Sequence, residues 1–144
     1  IIDPGGRLCG CGTRGCLEQY ASGTALVREA RELLGREEVG SAELMELFEN
    51  GDERARDALE KVGTALGVGI SSLVAMIDPE VIVIGGGVAA AGEHLLDPVR
   101  RSFQATYGPY RSRPTPDILV ATLGNTAGVV GAADLARQAP GGAL

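Results

Sequence analysis

A chain of 144 residues with a formal net charge of −6 is long enough to bury a core without disulfides or metals to hold it together. The acidic balance disfavours a broad phosphate-binding surface, no uninterrupted run of apolar residues approaches the roughly 20 needed to span a bilayer, and no signal-sequence pattern opens the chain. The three cysteines are an odd number at short spacing, which argues against a disulfide framework. The composition predicts a cytoplasmic location, with neither a membrane nor a nucleic acid as a partner of this chain.

The chain begins with "IIDPGG", a strand-like pair followed by a turn, and lacks an initiating methionine. We therefore expect a fragment of a longer protein. A glycine-rich loop follows, and helical spacing starts only after Cys16. A first helix is predicted to end near Gly35, and its apolar face comprises Leu26, Val27, Ala30, Leu33 and Leu34.

Two further helices are predicted before residue 78. Ser41 is the expected N-cap of the second helix, and Gly51 closes it. The third runs from Glu53 to the Asp-Pro pair at 78 and 79, and it is apolar enough near its end to predict burial on all sides. Its glycines lower helix propensity, which predicts another element packed close to the backbone. They are Gly63, Gly67 and Gly69.

An α/β arrangement is expected in the second half. Val81–Ile84 is a short β-branched run, typical of a strand covered on both faces of a parallel or mixed sheet, and a helix should begin near Ala89 or Glu93. Residues 117–122 predict a second buried strand. A final helix offers Ala127, Val130, Ala133 and Leu135 for packing, and the tail at 139–144 is expected to fray. The arginines at 100, 101, 111 and 113 are interpreted as a solvated helix end and loop.

The glycine turn Gly85, Gly86 and Gly87 follows the first predicted strand. Glycines there let the backbone approach a ligand and direct amide groups at an anion. The turn matches neither the P-loop nor the Rossmann pattern. A tight turn without a ligand is as good an interpretation of the pattern alone as a nucleotide contact.

Cys9, Cys11 and Cys16 form the more specific motif, since they are spaced to surround one tetrahedral ion and are separated by glycines that permit a tight loop. Three soft ligands point to zinc. The alternative, small buried apolar residues, fits a polar glycine-rich loop poorly. The set lacks a fourth ligand, and the one histidine, His94, is better interpreted as a surface imidazole.

The pattern "CGCGTRGCLE" closely resembles the zinc loop of the ROK family (repressors, open reading frames and sugar kinases). "DPEVIVIGGGVAAAGE" resembles the family's adenosine-binding strand and turn, and "LGNTAGVVGAADLA" resembles its C-terminal connecting helix. The resemblance covers essentially the whole chain. Within the family, "LEQYASGTALVREARELLG" is most similar to actinobacterial glucokinases.

The resemblance implies the C-terminal lobe of an actin-like ATPase, ribonuclease H-like fold, an α/β lobe with a mixed sheet flanked by helices. We expect one domain over residues 1–144. It would comprise a zinc loop (1–16), a mainly helical part (17–77), a nucleotide-side α/β part (78–138) and a tail (139–144).

The same resemblance implies site residues. Cys9, Cys11 and Cys16 match three structural zinc ligands, with a fourth, a histidine, just before Ile1. Glu18 matches the carboxylate that accepts hydrogen bonds from sugar hydroxyls, and Gly85, Gly86 and Gly87 match the turn along ATP. The catalytic aspartate and the N-terminal phosphate motif would lie outside this chain, which has no evident Mg²⁺ ligand.

Glu18 can also be understood without the family, because a carboxylate accepts from neighbouring hydroxyls and a site that pairs with a hydroxyl rejects analogues lacking it. The thiols would stiffen the loop that aims it. The alternative for Glu18 is a first-turn glutamate favoured by the helix macrodipole.

The sequence is therefore compatible with three functions. The first is ATP- and Mg²⁺-dependent phosphorylation of a hexose, glucose above all, by a cytoplasmic, homo-oligomeric kinase of glycolysis, with this fragment inactive alone. The second is the sugar-sensing domain of a ROK repressor. The third is a zinc-stabilised interaction domain with no sugar site.

Overall fold

The computed structural model describes residues 1–108 and 114–138. Five α-helices and two β-strands are present in these ranges: α1 (Gly23–Leu34), α2 (Ser41–Glu49), α3 (Glu53–Ile77), β1 (Val81–Ile84), α4 (Glu93–Tyr107), β2 (Asp117–Val120) and α5 (Ala127–Gln138). Short 3₁₀ turns lie at Leu17–Gln19, Gly87–Ala91 and Gly124–Thr126. The strands pair in parallel, with Val81 opposite Asp117 and Ile84 opposite Val120. The expected α/β class is confirmed.

Most helix ends lie where the sequence predicts them. Gly35 ends α1 in the left-handed conformation, and Gly51 follows α2 with a φ of 82°. The predicted N-cap of α2 is wrong by one residue, because Gly40 caps the helix and Ser41 is its first helical residue. Ser22 caps α1 instead, with its hydroxyl accepting from the Ala25 N–H at 3.1 Å.

Within the core, α3 and α4 pack closely, because the glycines of α3 bring the two backbones together as predicted. A Cβ placed on Gly63 would lie 2.6 Å from Pro98 Cγ, and one on Gly67 would lie 2.6 Å from the Val99 carbonyl oxygen. Gly69 serves a different neighbour, since its Cβ would lie 2.8 Å from the Leu17 side chain. These contacts fix both α4 and the turn at Leu17–Gln19 against α3.

Two burial predictions are wrong. The end of α3 is not buried on all sides, since Met76 and Ile77 are 83% and 69% exposed. The strands are not covered on both faces either. Alternation along β1 places Ile84 in the core, whereas Val83 is 61% exposed, because no element of the described ranges lies over the second face of the strand pair.

Among the described residues, α3 is the one helix long and apolar enough to cross a membrane by length and composition. Core helices of globular proteins meet the same two criteria. Here α3 packs against α1, α2 and α4. Its glycines at positions 63 and 67 lie in contact with α4. We interpret it as a core helix.

The final helix, α5, differs from the expectation that it packs. None of its residues is buried, and Leu135 is 70% exposed. It follows the turn at Gly124–Thr126 and extends from the rest of the chain. Of the predicted solvated arginines, Arg100 pairs with Glu93 at 2.5 Å and Arg101 with Glu60 at 2.5 Å. Arg111, Arg113 and the tail lie outside the described residues.

Candidate functional site

The three cysteines lie on a closed loop. The Cys9 N–H donates to the Thr13 carbonyl at 2.8 Å, and the Gly12 N–H donates back to the Cys9 carbonyl at 2.9 Å. Gly12 and Gly15 have φ values of 85° and 76°, a region that favours glycine. The glycines predicted to permit a tight loop are therefore in place at these two positions.

The loop brings the three sulfur atoms within 4.8 Å of one another. Cys11 Sγ and Cys16 Sγ are 3.5 Å apart. A tetrahedral ion with zinc–sulfur bonds of about 2.3 Å needs sulfurs roughly 3.8 Å apart, so three thiolates at these positions fit one zinc ion. Their role as zinc ligands stays a prediction.

Thr13 lies between two of the thiols, a position that sequence reasoning missed. Its hydroxyl oxygen is 3.0 Å from both Cys11 Sγ and Cys16 Sγ. The hydrogen bond that this hydroxyl donates to Cys11 Sγ lowers the pKa of Cys11 to about 6. A backbone hydrogen bond from Cys11 lowers the pKa of Cys9, but the hydrogen bond with the Cys11 thiol and burial outweigh it, so the pKa of Cys9 is raised.

Glu18 lies on the 3₁₀ turn at Leu17–Gln19, directly after the cysteine loop, and its side chain is exposed. Cys9 Sγ lies 3.7 Å from Glu18 Oε2, within range of an S–H donor. On the other side of the turn, Leu17 packs against Gly69 of α3. The carboxylate is thus exposed to a ligand, while the backbone that carries it is held by the loop and by the core.

A second set of contacts, not found from the sequence, joins the chain before the cysteines to the turn after them. The Tyr20 hydroxyl accepts from the Arg7 N–H at 2.8 Å and donates to Asp3 Oδ2 at 2.7 Å. The Gly15 N–H donates to the Arg7 carbonyl at 2.9 Å. Because Tyr20 lies two residues after Glu18, these bonds fix the entering segment, the cysteine loop and the turn that carries Glu18 to each other.

The glycine turn at the end of β1 is open. A Cβ on Gly86 or Gly87 would meet nothing within 4 Å, and one on Gly85 would lie 3.7 Å from the Ala121 Cβ. Gly86 has a φ of 86°. Because no atom of the described residues lies within 4 Å of an added Cβ at Gly86 or Gly87, a ligand can approach this backbone closely.

A groove of about 910 Å³ begins at this turn. Gly87 and Val88 form one wall, and the N-terminal ends of α1 and α2 form the others, at Gly23 and Ser41. The lining is mostly apolar, and its charged members are Arg28 and Arg31. An apolar groove with a few polar groups at its edge is typical of a site for a small organic ligand.

The two arginines of the groove make different contacts. Arg31 Nε donates to the Val39 carbonyl at 2.8 Å, which ties α1 to the loop before α2. Arg28 Nη2 donates to the Gln19 carbonyl, and its Nε is buried without a hydrogen-bond partner in the described part of the chain. Neither residue was predicted, because a helix pattern alone does not indicate which arginine faces a cavity.

His94 is exposed, as expected for a surface imidazole, and contacts the ring of Phe48 edge-on at a centroid distance of 4.8 Å. Within the described residues, the candidate metal cluster comprises the three cysteines and does not include His94.

Comparison with known proteins identifies the class to which this fold and site belong. The family model described as "ROK family" matches residues 1–139. The chain belongs to the ROK family and has the α/β, actin-like ATPase fold of its kinases, as the sequence predicted.

The similar proteins include sugar kinases. Streptomyces coelicolor glucokinase is 37% identical over 94% of this chain and 48% of its own length. A Haemophilus influenzae N-acetylmannosamine kinase is 35% identical over 92% of this chain and 42% of its own length. The chain thus spans about half the length of these curated relatives.

Solved structures agree in fold. The structure of a ROK family glucokinase from Streptomyces griseus in complex with glucose and AMPPNP is 40% identical, with a TM-score of 0.86, over 96% of this chain and 49% of that one. A ROK family transcriptional regulator is also similar, at 26% identity and a TM-score of 0.65, over 83% of this chain and 32% of that one.

Proposed function

We propose that the full-length protein containing this chain transfers a phosphoryl group from ATP to a hexose, with glucose as the first candidate. One observation carries the proposal. An exposed carboxylate on a fixed turn, Glu18, occurs in the same chain as an open glycine turn beside a groove of about 910 Å³. A sugar and a nucleotide require these two kinds of surface.

On the sugar side, Glu18 accepts hydrogen bonds from two neighbouring hydroxyls. A carboxylate is acceptor-only when ionised, so it pairs with hydroxyl donors and leaves an analogue without them poorly bound. The contacts of Leu17 with Gly69 and of Cys9 with Glu18 hold this acceptor in place before the sugar arrives. Binding then orders few additional protein groups.

On the nucleotide side, Gly85, Gly86 and Gly87 lie along ATP. The apolar groove between the turn and the first residues of α1 and α2 accommodates the base. Arg28 and Arg31 supply donors at its edge. A separate small pocket of about 200 Å³ is lined by Gly85, Gly86 and Thr122.

Zinc is proposed as a structural ion held by Cys9, Cys11 and Cys16, completed by a histidine preceding Ile1 as the family resemblance implies. A closed tetrahedral site of this kind contributes folding free energy and performs no chemistry on substrate. Its effect here is to hold the loop that precedes Glu18.

Phosphoryl transfer depends on orientation and on cations that neutralise the phosphates, normally Mg²⁺ bound with ATP. The residues of this chain bind and orient, and the proposed catalytic aspartate lies outside it. We therefore expect residues 1–144 alone to show no glucose-dependent ATP turnover, because one wall of a cleft cannot orient two substrates. Turnover by the purified fragment above a vector control would overturn this assignment of roles.

The identity of the hexose is tested by steady-state kinetics on the full-length protein. The similarity to glucokinases supports glucose, whereas the kinase from Haemophilus influenzae makes N-acetylmannosamine the sharpest competitor. We expect the kcat/KM for glucose to exceed that for N-acetylmannosamine by at least tenfold. A preference for the N-acetylated sugar would retain the kinase and remove the glucose assignment.

The second candidate is the sugar-sensing domain of a ROK repressor, supported by the similarity to a solved transcriptional regulator. It predicts sugar binding without phosphorylation, and binding of DNA by a preceding helix-turn-helix. A coupled ADP-release assay with glucose, run beside a DNA-binding assay of the full-length protein, separates the two candidates. An interaction domain without a sugar site would bind no glucose in isothermal titration.

The remaining proposals follow from the kinase assignment. They are the C-terminal lobe as one domain with its four segments, a cytoplasmic location, a place in glycolysis, a homo-oligomeric full-length protein, and no nucleic-acid or membrane partner for this chain.

A further inference from the structure

Arg28 contacts both halves of the proposed site. Its guanidinium donates through Nη2 to the carbonyl of Gln19, and the same side chain lines the groove beside Gly87. Gln19 follows Glu18 in the turn at Leu17–Gln19. Arg28 therefore lines the groove and also donates a hydrogen bond to the turn that carries Glu18.

We propose that Arg28 is a positioning residue that couples nucleotide binding in the groove to sugar binding at Glu18. The inference rests on the proposed function and adds a residue that neither the motifs nor the similar proteins assign. It concerns the energetic link between two sites and leaves the chemical step unchanged.

The turn that carries Glu18 is held at both of its ends. Leu17 packs against Gly69, at the start, and the carbonyl of Gln19 accepts from Arg28, at the end. Glu18 lies between these anchors. The Arg28 guanidinium is therefore one of the contacts that set the position of the Glu18 carboxylate, beside Cys9 and the Tyr20 hydroxyl.

Arg28 also reaches the groove. Its Nε is buried and out of reach of a ligand, but the side chain as a whole is 26% exposed and lines the groove. A nucleotide in the groove carries hydrogen-bond acceptors on its base and ribose, and we expect these to contact the exposed part of the guanidinium.

The nitrogens of a guanidinium lie in one rigid plane, so an acceptor that holds its exposed edge also fixes the direction of Nη2. A bound nucleotide thereby strengthens the hold on the Gln19 carbonyl and holds Glu18 more firmly. Sugar affinity rises when nucleotide is bound, and by linkage nucleotide affinity rises by the same factor when sugar is bound.

Arg31 provides a matched control. It lies one helical turn along α1 and lines the same groove, but its Nε is already engaged by the Val39 carbonyl at 2.8 Å, away from the sugar-site turn. Removing its guanidinium changes the groove and leaves the link between the groove and Gln19 intact.

The experiment is isothermal titration of the full-length protein with glucose, with and without saturating AMPPNP. We expect AMPPNP to tighten glucose binding by about fivefold or more in the unaltered protein, the lower range of measured coupling. Arg28→Met should reduce this enhancement to less than twofold, whereas Arg31→Met should retain it even if AMPPNP itself binds less tightly. The reciprocal titration should give the same factors.

Arg28→Lys guards against a folding defect in the methionine variant. A lysine keeps the charge and can donate to the Gln19 carbonyl, but one ammonium cannot also present a rigid second donor to the groove. It should lose the enhancement, and a circular dichroism spectrum that matches the unaltered protein should show that the variant is folded. A full enhancement in either Arg28 variant, or an equal loss in Arg31→Met, would overturn the proposal.

Failure of the proposed function is recognisable separately. A full-length protein that binds neither glucose nor AMPPNP contradicts the kinase assignment itself. Binding of both ligands without any enhancement in the unaltered protein contradicts the coupling through Arg28 and leaves the kinase assignment standing.

Discussion

Gly67 of α3 lies directly against the backbone of α4, so that a Cβ added to it would be 2.6 Å from the Val99 carbonyl oxygen and 2.9 Å from the Phe103 nitrogen. Backbone atoms of a packed helix cannot move aside as a flexible side chain does. The packing of these two helices therefore depends on the absence of a side chain at position 67.

Gly67→Ala should destabilise the chain by about 1–3 kcal/mol, the usual cost of overpacking a core, although alanine has the better helix propensity. Gly128→Ala is the matched control, because Gly128 lies in α5 with nothing within 4 Å of an added Cβ. That substitution should be neutral or stabilising by up to about 1 kcal/mol. Urea unfolding of the two variants measures the difference, and equal free energies would contradict the close contact.

How much of this fold the sequence predicts depends on whether the determining contacts lie within the chain. The α3 glycines, the stops at Gly35 and Gly51 and the β-branched run of β1 are local signals, and the structure agrees with each. Burial is less predictable. The apolar side chains of Met76 and Val83 suggest burial, but both are exposed. An apolar residue type does not determine whether another element of the same chain packs over it.

The candidate site divides in the same way. The cysteines are indicated by their residue type and short spacing, and Glu18 is indicated by the family resemblance. Thr13, Tyr20 and Arg28 were missed, since a threonine in a loop, a tyrosine after a turn and an arginine on a helix are ordinary in sequence. Their importance depends on which atoms they contact.

Glu18→Gln should raise the KM for glucose about 10- to 100-fold, which corresponds to losing a hydrogen bond to a charged acceptor worth about 1.5–3 kcal/mol. One oxygen of the acceptor pair becomes an amide donor, so a sugar hydroxyl loses its partner. The KM for ATP should stay within about twofold of the unaltered value. Steady-state kinetics of the full-length protein measures both constants.

The control for this substitution is Glu49→Gln at the end of α2, where the glutamate is exposed. Both Michaelis constants should be unchanged in it. A normal glucose KM in Glu18→Gln would remove Glu18 from the sugar site.

Gly87→Ala tests the nucleotide turn without straining the backbone. Gly87 has open space where the Cβ would lie and a φ outside the left-handed region, unlike Gly86 at 86°. The thermal stability of Gly87→Ala should therefore change little. The added methyl blocks the close approach of ATP, so AMPPNP binding should weaken about tenfold while glucose affinity stays nearly unaffected. Gly86→Val should weaken the same binding and also lower Tm.

Gly131→Ala, on the exposed face of α5, is the control for the turn and should leave AMPPNP affinity unaltered. If Gly87→Ala binds AMPPNP as tightly as the unaltered protein, the three glycines are a tight turn only.

Asp52 gives the chain a defined sensitivity to acid. It caps α3, accepting from the Arg54 N–H at 2.8 Å, and the hydrogen bond from the Arg54 side chain is the main reason that the pKa of Asp52 falls from 3.8 to about 2. Because the folded pKa is the lower one, the charged carboxylate stabilises the fold. This contribution is complete above about pH 4 and is lost as the pH falls to about 2.

Asp52→Asn retains an N-cap acceptor but cannot ionise. The Tm of the unaltered protein should exceed that of the variant at pH 7, and the gap should narrow between pH 4 and pH 2. Thermal melts followed by circular dichroism at several pH values measure it. A gap that is constant over this interval would show that the ionised form of Asp52 gives the folded state no advantage.

The zinc proposal predicts that zinc affinity depends on whether the chain includes the residues just before Ile1. Three thiolates within 4.8 Å of one another leave one position of a tetrahedral ion open, and the family resemblance supplies it with a histidine just before Ile1. Residues 1–144 alone should therefore hold zinc weakly, with water or a borrowed group as fourth ligand, or hold none and keep thiols prone to oxidation.

A version extended upstream through the histidine should bind zinc at least tenfold more tightly, because a completed site adds ligand binding to folding free energy. Competition with a chromophoric chelator, with thiol titration alongside, measures both versions, and Cys11→Ser should weaken zinc in each. Equal affinity in the short and extended versions would show that the fourth ligand comes from elsewhere, and the three-cysteine site would then need a different donor.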